Sequence, residues 1–203
     1  MKNRLLNLLL MGSMAALVLL SACEKEDITT NETGTFTDSR DGKIYKTVKI
    51  GNQVWMAENL AFDAGTGTYG RGYEDRWGYL YTWEIAKTAV PAGWHLATKL
   101  EWDELIMDLG GVDAAANKMK DIASGDWTNQ DIPDANSSGF SALPAGRYGY
   151  GTSGYANRNQ IGFWWADEEF TNDMAWEYWI ETSPVVVDKE HKTKGLSVRC
   201  VKD

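Results

Sequence analysis

The two histidines and two cysteines of the chain limit the chemistry that it can perform. His95 and His191 lie far apart in the sequence, as do Cys23 and Cys200. Zinc sites take closely spaced His and Cys ligands, so the sequence predicts no zinc site. His95 has apolar neighbours, which favours a structural role over a catalytic one. The sequence has no phosphate-binding glycine loop and no local Ser-His-Asp or Cys-His signature. We therefore expect no enzymatic activity and no catalytic residue.

Aromatic residues beside carboxylates offer the chain its clearest means of recognising a ligand. The sequence holds 10 tryptophans, and a Gly/Tyr-rich loop over 147–159 precedes an aromatic and acidic segment over 164–179. Aromatic faces suit the C–H faces of sugar rings and also form protein hot spots, while carboxylates bind hydroxyl groups. The predicted ligand-binding residues are Tyr148, Tyr150, Tyr155, Trp165, Asp167, Trp176 and Trp179. Strand residues that pack inward are the alternative, so we expect about half of the aromatic side chains over 164–179 in the core.

Two clusters of acidic and amide side chains carry the oxygen ligands that calcium prefers. Neither cluster has the spacing of an EF-hand loop, and a chain this acidic produces such clusters by chance. The first comprises Asp126, Asn129, Asp131, Asp134 and Asn136, and the second comprises Asp167, Glu168, Glu169 and Asp173. We expect no cofactor, with calcium as the alternative that these clusters leave open.

The N-terminus has the order of parts that directs export. Lys2 and Arg4 precede an apolar stretch of about 16 residues, short of the roughly 20 that span a bilayer, and small residues follow. The run Leu20-Ser21-Ala22-Cys23 resembles the lipobox of bacterial lipoproteins, whose cysteine carries lipid and becomes the first residue after cleavage. An ordinary signal peptide with a chance cysteine is the alternative. The resemblance implies a signal peptide over 1–22, lipid on Cys23, a flexible tether over 23–34 and one domain over 35–203.

The chain carries 29 acidic against 20 basic residues, for a net charge of −9. Loss of Lys2 and Arg4 with the signal peptide would lower the net charge to −11. Such a surface repels phosphate backbones, so nucleic acid is not expected as a partner. We expect lipid on Cys23 to hold the protein to the outer membrane or the cell surface. The acidic residues behind Cys23 also resemble the surface-export signal of Bacteroidetes lipoproteins.

Local patterns predict a mixed α+β fold for the domain. Alternating apolar residues over 44–50 and an apolar run over 54–56, joined by a tight turn, predict a β-hairpin. Thr98 and Glu101 have the spacing of a capping box, so a helix should begin at Thr98 and stop at Gly110. Shorter helices are predicted over 113–120 and 81–88, with loops and short strands after Asp121. The last strand, over 196–201, should place Cys200 in the core, where a thiol packs as a small hydrophobe.

Six separated blocks of the sequence occur in the order typical of one family. They are TDSRDGK at 37–43, QVWMAENL at 53–60, GYLYTW at 78–83, PAGWHLAT with the nearby EW pair over 91–102, GFSALPAG at 139–146 and SVRCV at 197–201. Together these blocks resemble the Fibrobacter succinogenes major paralogous domain over residues 36–203. The resemblance is specific because all six blocks agree in both sequence and order.

This resemblance implies a C-type lectin-like fold, related to that of the formylglycine-generating enzymes. Such a fold combines short antiparallel strands with two or three helices and long loops, and its first and last strands pair. Family members are mainly secreted or lipid-anchored proteins of Fibrobacteres and Bacteroidetes, and no catalytic residues are established for them. The family often has a cysteine, able to pair with the one matched by Cys200, where Val90 stands here. Its absence implies that Cys200 has no intrachain partner.

The residues and the resemblance lead to one hypothesis and two alternatives. The hypothesis is a cell-envelope lipoprotein with a non-enzymatic binding module that recognises carbohydrate or a protein partner at the cell surface. The first alternative is a structural or adhesion component of a surface appendage, which would use the same aromatic residues. The second is an oxidase like the formylglycine-generating enzymes. Those enzymes use cysteines for oxidation or copper binding, which a lone Cys200 does not supply.

Overall fold

Strands and a few helices alternate along the described part of the chain, which confirms the mixed α+β prediction. The computed structural model describes residues 31–70, 72–128, 131–151 and 154–203, so the predicted signal peptide, Cys23 and most of the tether lie outside it. The strands are β1 (Thr33–Thr37), β2 (Ile44–Ile50), β3 (Gln53–Met56), β4 (Thr68–Tyr69), β5 (Leu80–Tyr81), β6 (Trp94–Leu96), β7 (Arg147–Tyr150), β8 (Gly154–Ala156), β9 (Gly162–Glu169), β10 (Met174–Ile180), β11 (Val186–His191) and β12 (Cys200–Lys202). The helices are α1 (Glu74–Trp77), α2 (Trp83–Ala89), α3 (Lys99–Asp108) and α4 (Val112–Met119).

The largest sheet brings together strands from both ends of the domain. Its strands are antiparallel, in the order β1-β2-β3-β12-β6. The predicted hairpin is confirmed as β2 and β3, with Val48 opposite Trp55. The expected pairing of the first and last strands is wrong in detail, because β12 lies between β3 and β6 while β1 pairs with β2. Strand β1 begins at Thr33, inside the predicted tether, and its mostly exposed side chains explain why no apolar pattern marks it.

A second antiparallel sheet, in the order β11-β10-β9, occupies the region after Asp121. Sequence analysis expects only short strands there, whereas β9 runs for 8 residues. Both faces of β9 are buried: Phe163 and Trp165 pack on one side, and Trp164 and Ala166 on the other. A strand buried on both faces gives a continuous apolar run instead of an alternation, which hides its periodicity.

The helices follow the predicted signals closely. In α3 the hydroxyl of Thr98 accepts from the backbone N–H of Glu101, and the Glu101 carboxylate accepts from the backbone N–H of Thr98, so the capping box is confirmed. Helix α3 ends just before Gly110 and Gly111, both of which have positive φ. Helices α2 and α4 each begin and end within two residues of the predicted bounds. Helix α2 begins later than predicted because Tyr81 belongs to β5.

Two hydrophobic cores lie on opposite sides of β9. The first packs α3 and α4 around Trp102, whose ring centroid is 5.1 Å from that of Trp55 and 5.0 Å from that of Tyr178. The second packs α2 against β6 and the final strands, and contains Trp94 and Cys200. Trp55, Trp94 and Trp102 are all buried in these two cores.

Arg199 is fully buried and ties three of the six sequence blocks together. Its Nη1 donates to the carbonyl oxygens of Met56 (2.9 Å) and Phe140 (2.6 Å), and its Nη2 donates to that of Ser141 (2.7 Å). Its Nε donates to Oδ1 of Asn59 at 2.8 Å. Burial lowers the pKa of Arg199 to about 9, and carbonyl oxygens satisfy the guanidinium. Arg199 and its partners in these three blocks therefore help to build the fold.

Cys200 is fully buried and forms no disulfide within the described residues, as the sequence predicts. Burial raises the pKa of its thiol, which keeps the sulfur neutral and unreactive. The described residues include no helix with the length and apolar character needed to cross a membrane.

Candidate functional site

An aromatic cleft lies where α1, β4 and β5 meet the hairpin of β7 and β8. Its walls combine aromatic rings with one carboxylate and one guanidinium group, from Tyr69, Tyr73, Glu74, Trp77, Tyr155 and Arg158. We refer to these six residues as the aromatic cleft. The ring of Tyr73 is accessible, since this residue is 49% exposed, whereas Trp77 forms the buried floor.

Trp77 is held in place from two sides. Its Nε1 donates to Oδ2 of Asp126 at 3.1 Å, and its carbonyl oxygen accepts from Nδ2 of Asn59 at 2.8 Å. Gly78, directly after α1, has a φ of 73°, and a β-carbon there would meet the carbonyl oxygen of Leu60 at 2.5 Å. Only glycine therefore ends α1 against this wall without strain.

Tyrosine rings connect β4 to the hairpin on the opposite wall. The rings of Tyr69 and Tyr148 are stacked with centroids 3.7 Å apart, and Tyr148 meets Tyr155 edge to face at 4.9 Å. The hydroxyl of Tyr155 donates to the carbonyl oxygen of Gly70 at 2.8 Å. These contacts fix the orientation of the ring faces before any ligand binds, which lowers the entropy cost of binding.

Arg158 lies over the aromatic rings next to α1. Its guanidinium carbon is 4.5 Å from the ring centroids of both Tyr73 and Trp77, within cation–π range. The following residue, Asn159, has a φ of 64°, which turns the chain sharply beside Arg158. Nδ2 of Asn159 donates to the carbonyl oxygen of Asp126 at 3.1 Å. Asp126 therefore fixes Trp77, the floor of the cleft, through its side chain, and it fixes the turn next to Arg158 through its backbone carbonyl.

Two of the three predicted tyrosines of β7 and β8 belong to this region. Tyr155 lines the cleft, and Tyr148 packs behind it. Tyr150 instead donates a hydrogen bond from its hydroxyl to the carboxylate of Glu190, on β11. A bulge at Gly149, with a φ of 98°, separates Tyr148 from Tyr150 and turns the two rings to different neighbours.

The predicted residues of β9 and β10 do not come together in one site. Trp165 is fully buried and donates from Nε1 to the carbonyl oxygen of Tyr81 at 2.8 Å, so the prediction that it contacts a ligand is wrong. Trp176 and Trp179 are half-buried on opposite faces of β10, since they pack against different cores. Asp167 is exposed near the end of β9. Burial of β9 on both faces is the physical reason that Trp165 belongs to the core.

Sequence analysis identified only Tyr155 among the residues of the aromatic cleft. The missed residues are Tyr69, Tyr73, Glu74, Trp77 and Arg158. A signal for most of them exists, because residues 65–80 alternate glycines with aromatic residues in the same manner as the 147–159 loop. Two segments of this composition indicate two walls of one surface. The pairing of strands in the sheets, and not a local sequence signal, brings the two segments together.

A buried acidic group lies beneath the β7–β8 hairpin. Glu177 is 3% exposed, and its Oε2 has no hydrogen-bond partner. Glu190, on the neighbouring strand, accepts hydrogen bonds from Tyr150 and from Nη1 of Arg147, the latter at 3.2 Å. Burial, and then the nearby charge of Glu190, raise the pKa of Glu177 to about 8. Glu177 is therefore mostly protonated at neutral pH.

His95 lies half-buried between two carboxylates. Its Nδ1 is 2.7 Å from Oδ1 of Asp203, and its Nε2 is 2.8 Å from Oε1 of Glu101. Burial alone would lower the pKa of His95, but hydrogen bonds with these two carboxylates outweigh it and raise the pKa. The imidazole thereby joins the last residue of the chain to the first turn of α3, instead of packing in the core with its apolar neighbours Trp94 and Leu96.

Within the described ranges, no three His, Cys, Asp or Glu side chains are grouped so that they could hold a metal ion. Two members of the acidic clusters are engaged elsewhere: Asp126 pairs with Arg76 at 2.8 Å, and Glu169 pairs with Lys192 at 2.8 Å. Asn129 lies outside the described residues.

Comparison with known proteins identifies the family. The Fibrobacter succinogenes major domain matches residues 48–202, and the chain therefore belongs to that family. The matched range contains the whole aromatic cleft and begins inside β2, so that β1 precedes it. No curated protein and no solved structure gives a match.

Proposed function

We propose that the protein is a non-enzymatic binding module that recognises carbohydrate through the aromatic cleft. The observation that carries the proposal is the accessible ring of Tyr73, set beside Trp77 and Tyr155 in a concave surface. Flat aromatic faces pack against the C–H faces of sugar rings, and the carboxylate of Glu74 accepts from sugar hydroxyls.

The rigidity of the cleft supports this proposal. Asp126 and Asn59 hold Trp77, and stacked tyrosines hold the opposite wall. A binding surface whose side chains are already ordered loses little conformational entropy when a ligand arrives. Binding residues carried by loops on a rigid scaffold are also the common arrangement in proteins.

Replacement of single aromatic residues tests the site. We expect Tyr73→Ala to weaken binding of a glycan-array hit about tenfold or more, because it removes the accessible stacking face. Trp176→Ala is the matched control, since it removes a half-buried aromatic ring from β10, away from the cleft. Affinities are measured by isothermal titration calorimetry. The proposal fails if no glycan or cell-wall polysaccharide binds, or if both variants lose affinity equally.

The fold of the domain is C-type lectin-like. Supporting features are the antiparallel sheet that joins strands from both ends of the domain, the second sheet above it, and the long connections that carry the cleft. A crystal structure tests this by superposition on C-type lectin-like domains. A strand order that cannot be aligned with theirs would contradict the assignment.

The protein is also a cell-envelope lipoprotein, anchored by lipid on Cys23. Support comes from the charged, apolar and small-residue order of residues 1–23. Two or three acyl chains give stable membrane anchoring, because each buried CH₂ contributes about 0.8 kcal/mol. Metabolic labelling with a palmitate analogue should mark the wild-type chain and not Cys23→Ala. Cys200→Ala should keep the label, and protease treatment of intact cells then reports surface exposure.

A further inference from the structure

Arg158 differs from the other arginines that the structure describes. The others are paired with carboxylates or carbonyl oxygens: Arg40, Arg76, Arg147 and Arg199. Within the described ranges Arg158 has neither an ion pair nor a hydrogen bond. Its guanidinium instead makes cation–π contacts with the rings of Tyr73 and Trp77. In a chain with 29 acidic residues and a net charge of −9, a guanidinium with neither a carboxylate nor a carbonyl oxygen as acceptor is unusual.

The stacked position of Arg158 leaves its hydrogen-bonding capacity available. A guanidinium has five N–H donors in one plane, and packing its face on aromatic rings leaves those in-plane donors free. Arg158 is one of the residues that line the aromatic cleft, and it is partly exposed. The donors therefore lie at the surface where a ligand would meet Tyr73.

We infer that the aromatic cleft binds an acidic saccharide, with the carboxylate of a uronate residue on Arg158; this inference rests on the proposed carbohydrate-binding function. A planar carboxylate accepts two parallel N–H bonds from a guanidinium, which gives the pair both opposite charge and a specific geometry. The C–H face of the same sugar ring packs on Tyr73.

Glu74 determines how such a ligand is oriented. Its Oε1 accepts from the backbone N–H of Gly72 at 2.6 Å, which holds the carboxylate at the wall of the cleft. Like charges repel, so the uronate carboxylate lies away from Glu74 and sugar hydroxyls lie beside it. The cleft thus offers one cation for the acid and one acceptor for the hydroxyls of the same ligand.

Matched oligosaccharides test the inference on the full-length protein. The probes are β-1,4-linked glucose oligomers and glucuronate oligomers of equal length, which differ only in the exocyclic carbon, together with a sulfated glucose oligomer. We expect the glucuronate oligomer to bind about tenfold more tightly than the glucose oligomer at low salt, with the difference shrinking as salt is raised. Isothermal titration calorimetry measures each affinity.

Charge variants assign the preference to Arg158. We expect Arg158→Gln to lower the ratio of glucuronate affinity to glucose affinity from about tenfold to about one, and Arg158→Lys to keep part of this preference. Glu74→Gln should raise the ratio of glucuronate affinity to glucose affinity, because it removes a charge that repels the uronate carboxylate. Lys46→Gln is the control, since it removes an exposed charge from β2, outside the cleft.

The outcomes separate this inference from the proposed function. Equal binding of neutral and acidic oligomers by the wild type would overturn the uronate assignment and leave carbohydrate binding intact. Equal loss of both ligands in Arg158→Gln would show that Arg158 only supports the rings, and tighter binding of the sulfated oligomer would replace carboxylate with sulfate. If none of the three probes binds and glycan arrays also show no ligand, the proposed function itself fails.

Discussion

The aromatic rings around Trp102 and those of the aromatic cleft are similar in kind and spacing but differ in their access to solvent. Trp102 is fully buried, with Tyr178 stacked on it and Trp55 and Phe140 at its edges. Tyr73 is 49% exposed, and its ring meets Trp77 at a centroid distance of 5.1 Å and the guanidinium carbon of Arg158 at 4.5 Å. A ring enclosed on all sides contributes mainly to stability, while a ring with one free face remains available to a ligand.

The largest expected effect on stability comes from replacing the buried ring of Trp102. Trp102→Ala should lower the free energy of unfolding by about 3–5 kcal/mol, because it leaves a cavity among four aromatic neighbours. Urea denaturation followed by circular dichroism measures the change. A loss below about 1 kcal/mol would show that the first core does not depend on this ring.

Arg199→Met tests whether the buried hydrogen bonds of Arg199 contribute as much to stability as the aromatic rings around Trp102 do. The substitution leaves the carbonyl oxygens of Met56, Phe140 and Ser141 without their donor, which should cost about 3 kcal/mol. Denaturation midpoints report the loss, and Lys46→Gln serves as the exposed control. An unchanged midpoint would mean that water replaces the guanidinium.

A change of pH probes the acidic group beneath the hairpin. The pKa of Glu177 is about 8 in the folded chain, against an ordinary 4.5, so its contribution to stability is complete below pH 4.5 and is lost as the pH rises through 8. We expect the wild type to lose about 2 kcal/mol between pH 6 and pH 8, and Glu177→Gln to lose much less.

The charged groups facing Glu177 set the control for this experiment. They are Glu190 and Asp188 on β11 and Arg147 on β7. The raised pKa of His95 acts in the same direction, since its contribution is also lost as the pH rises. His95→Gln should therefore remove a separate part of the pH dependence, and identical pH profiles for Glu177→Gln and the wild type would contradict the assignment to Glu177.

Thr98→Ala should have a smaller effect on the same core. It removes the side-chain cap of α3, the helix that carries Trp102, and should cost about 1 kcal/mol. Thermal unfolding measures the loss. Thr98→Ser keeps the hydroxyl and should retain most of the stability; equal loss in both variants would show that the hydroxyl is not the source.

The smallest expected effect on stability belongs to the cleft. Tyr73→Ala should change the free energy of unfolding by no more than about 0.5 kcal/mol, because the side chain is half exposed. Differential scanning calorimetry measures the change. A loss above about 2 kcal/mol would make Tyr73 a structural residue and remove the contrast with Trp102.

Several parts of the fold are visible in the sequence because their signals are local. The capping box at Thr98, the β2–β3 hairpin and the burial of Cys200 each depend on a few neighbouring residues. The second sheet has no such signal, since strands buried on both faces show no alternation. The expected division of the aromatic residues over 164–179 is nevertheless confirmed, with Trp164, Trp165 and Tyr178 fully buried and the others partly or largely exposed.

The cleft was less predictable because it depends on contacts between distant segments. The Gly/Tyr-rich segment over 147–159 marks Tyr155, and the segment that contains Tyr69 and Tyr73 has the same composition. No sequence pattern reveals that Arg158 lies over Trp77, since the turn at Asn159 and its bond to Asp126 bring them together. The prediction for Trp165 is wrong because carboxylates further along the sequence do not imply solvent around a residue, and β9 is buried on both faces at this point.

The hydrogen bonds of Asn59 connect the sequence blocks that mark the family to the aromatic cleft, the proposed binding surface. Asn59 accepts from Arg199 and supports the backbone of Trp77, so the floor of the cleft is attached to the network that three sequence blocks build. All six residues of the cleft lie outside those blocks. Descendants of one ancestral gene can therefore exchange Tyr73 or Arg158 for other side chains at little cost to folding. Gene duplication could in this way yield a repertoire of specificities on one inherited frame.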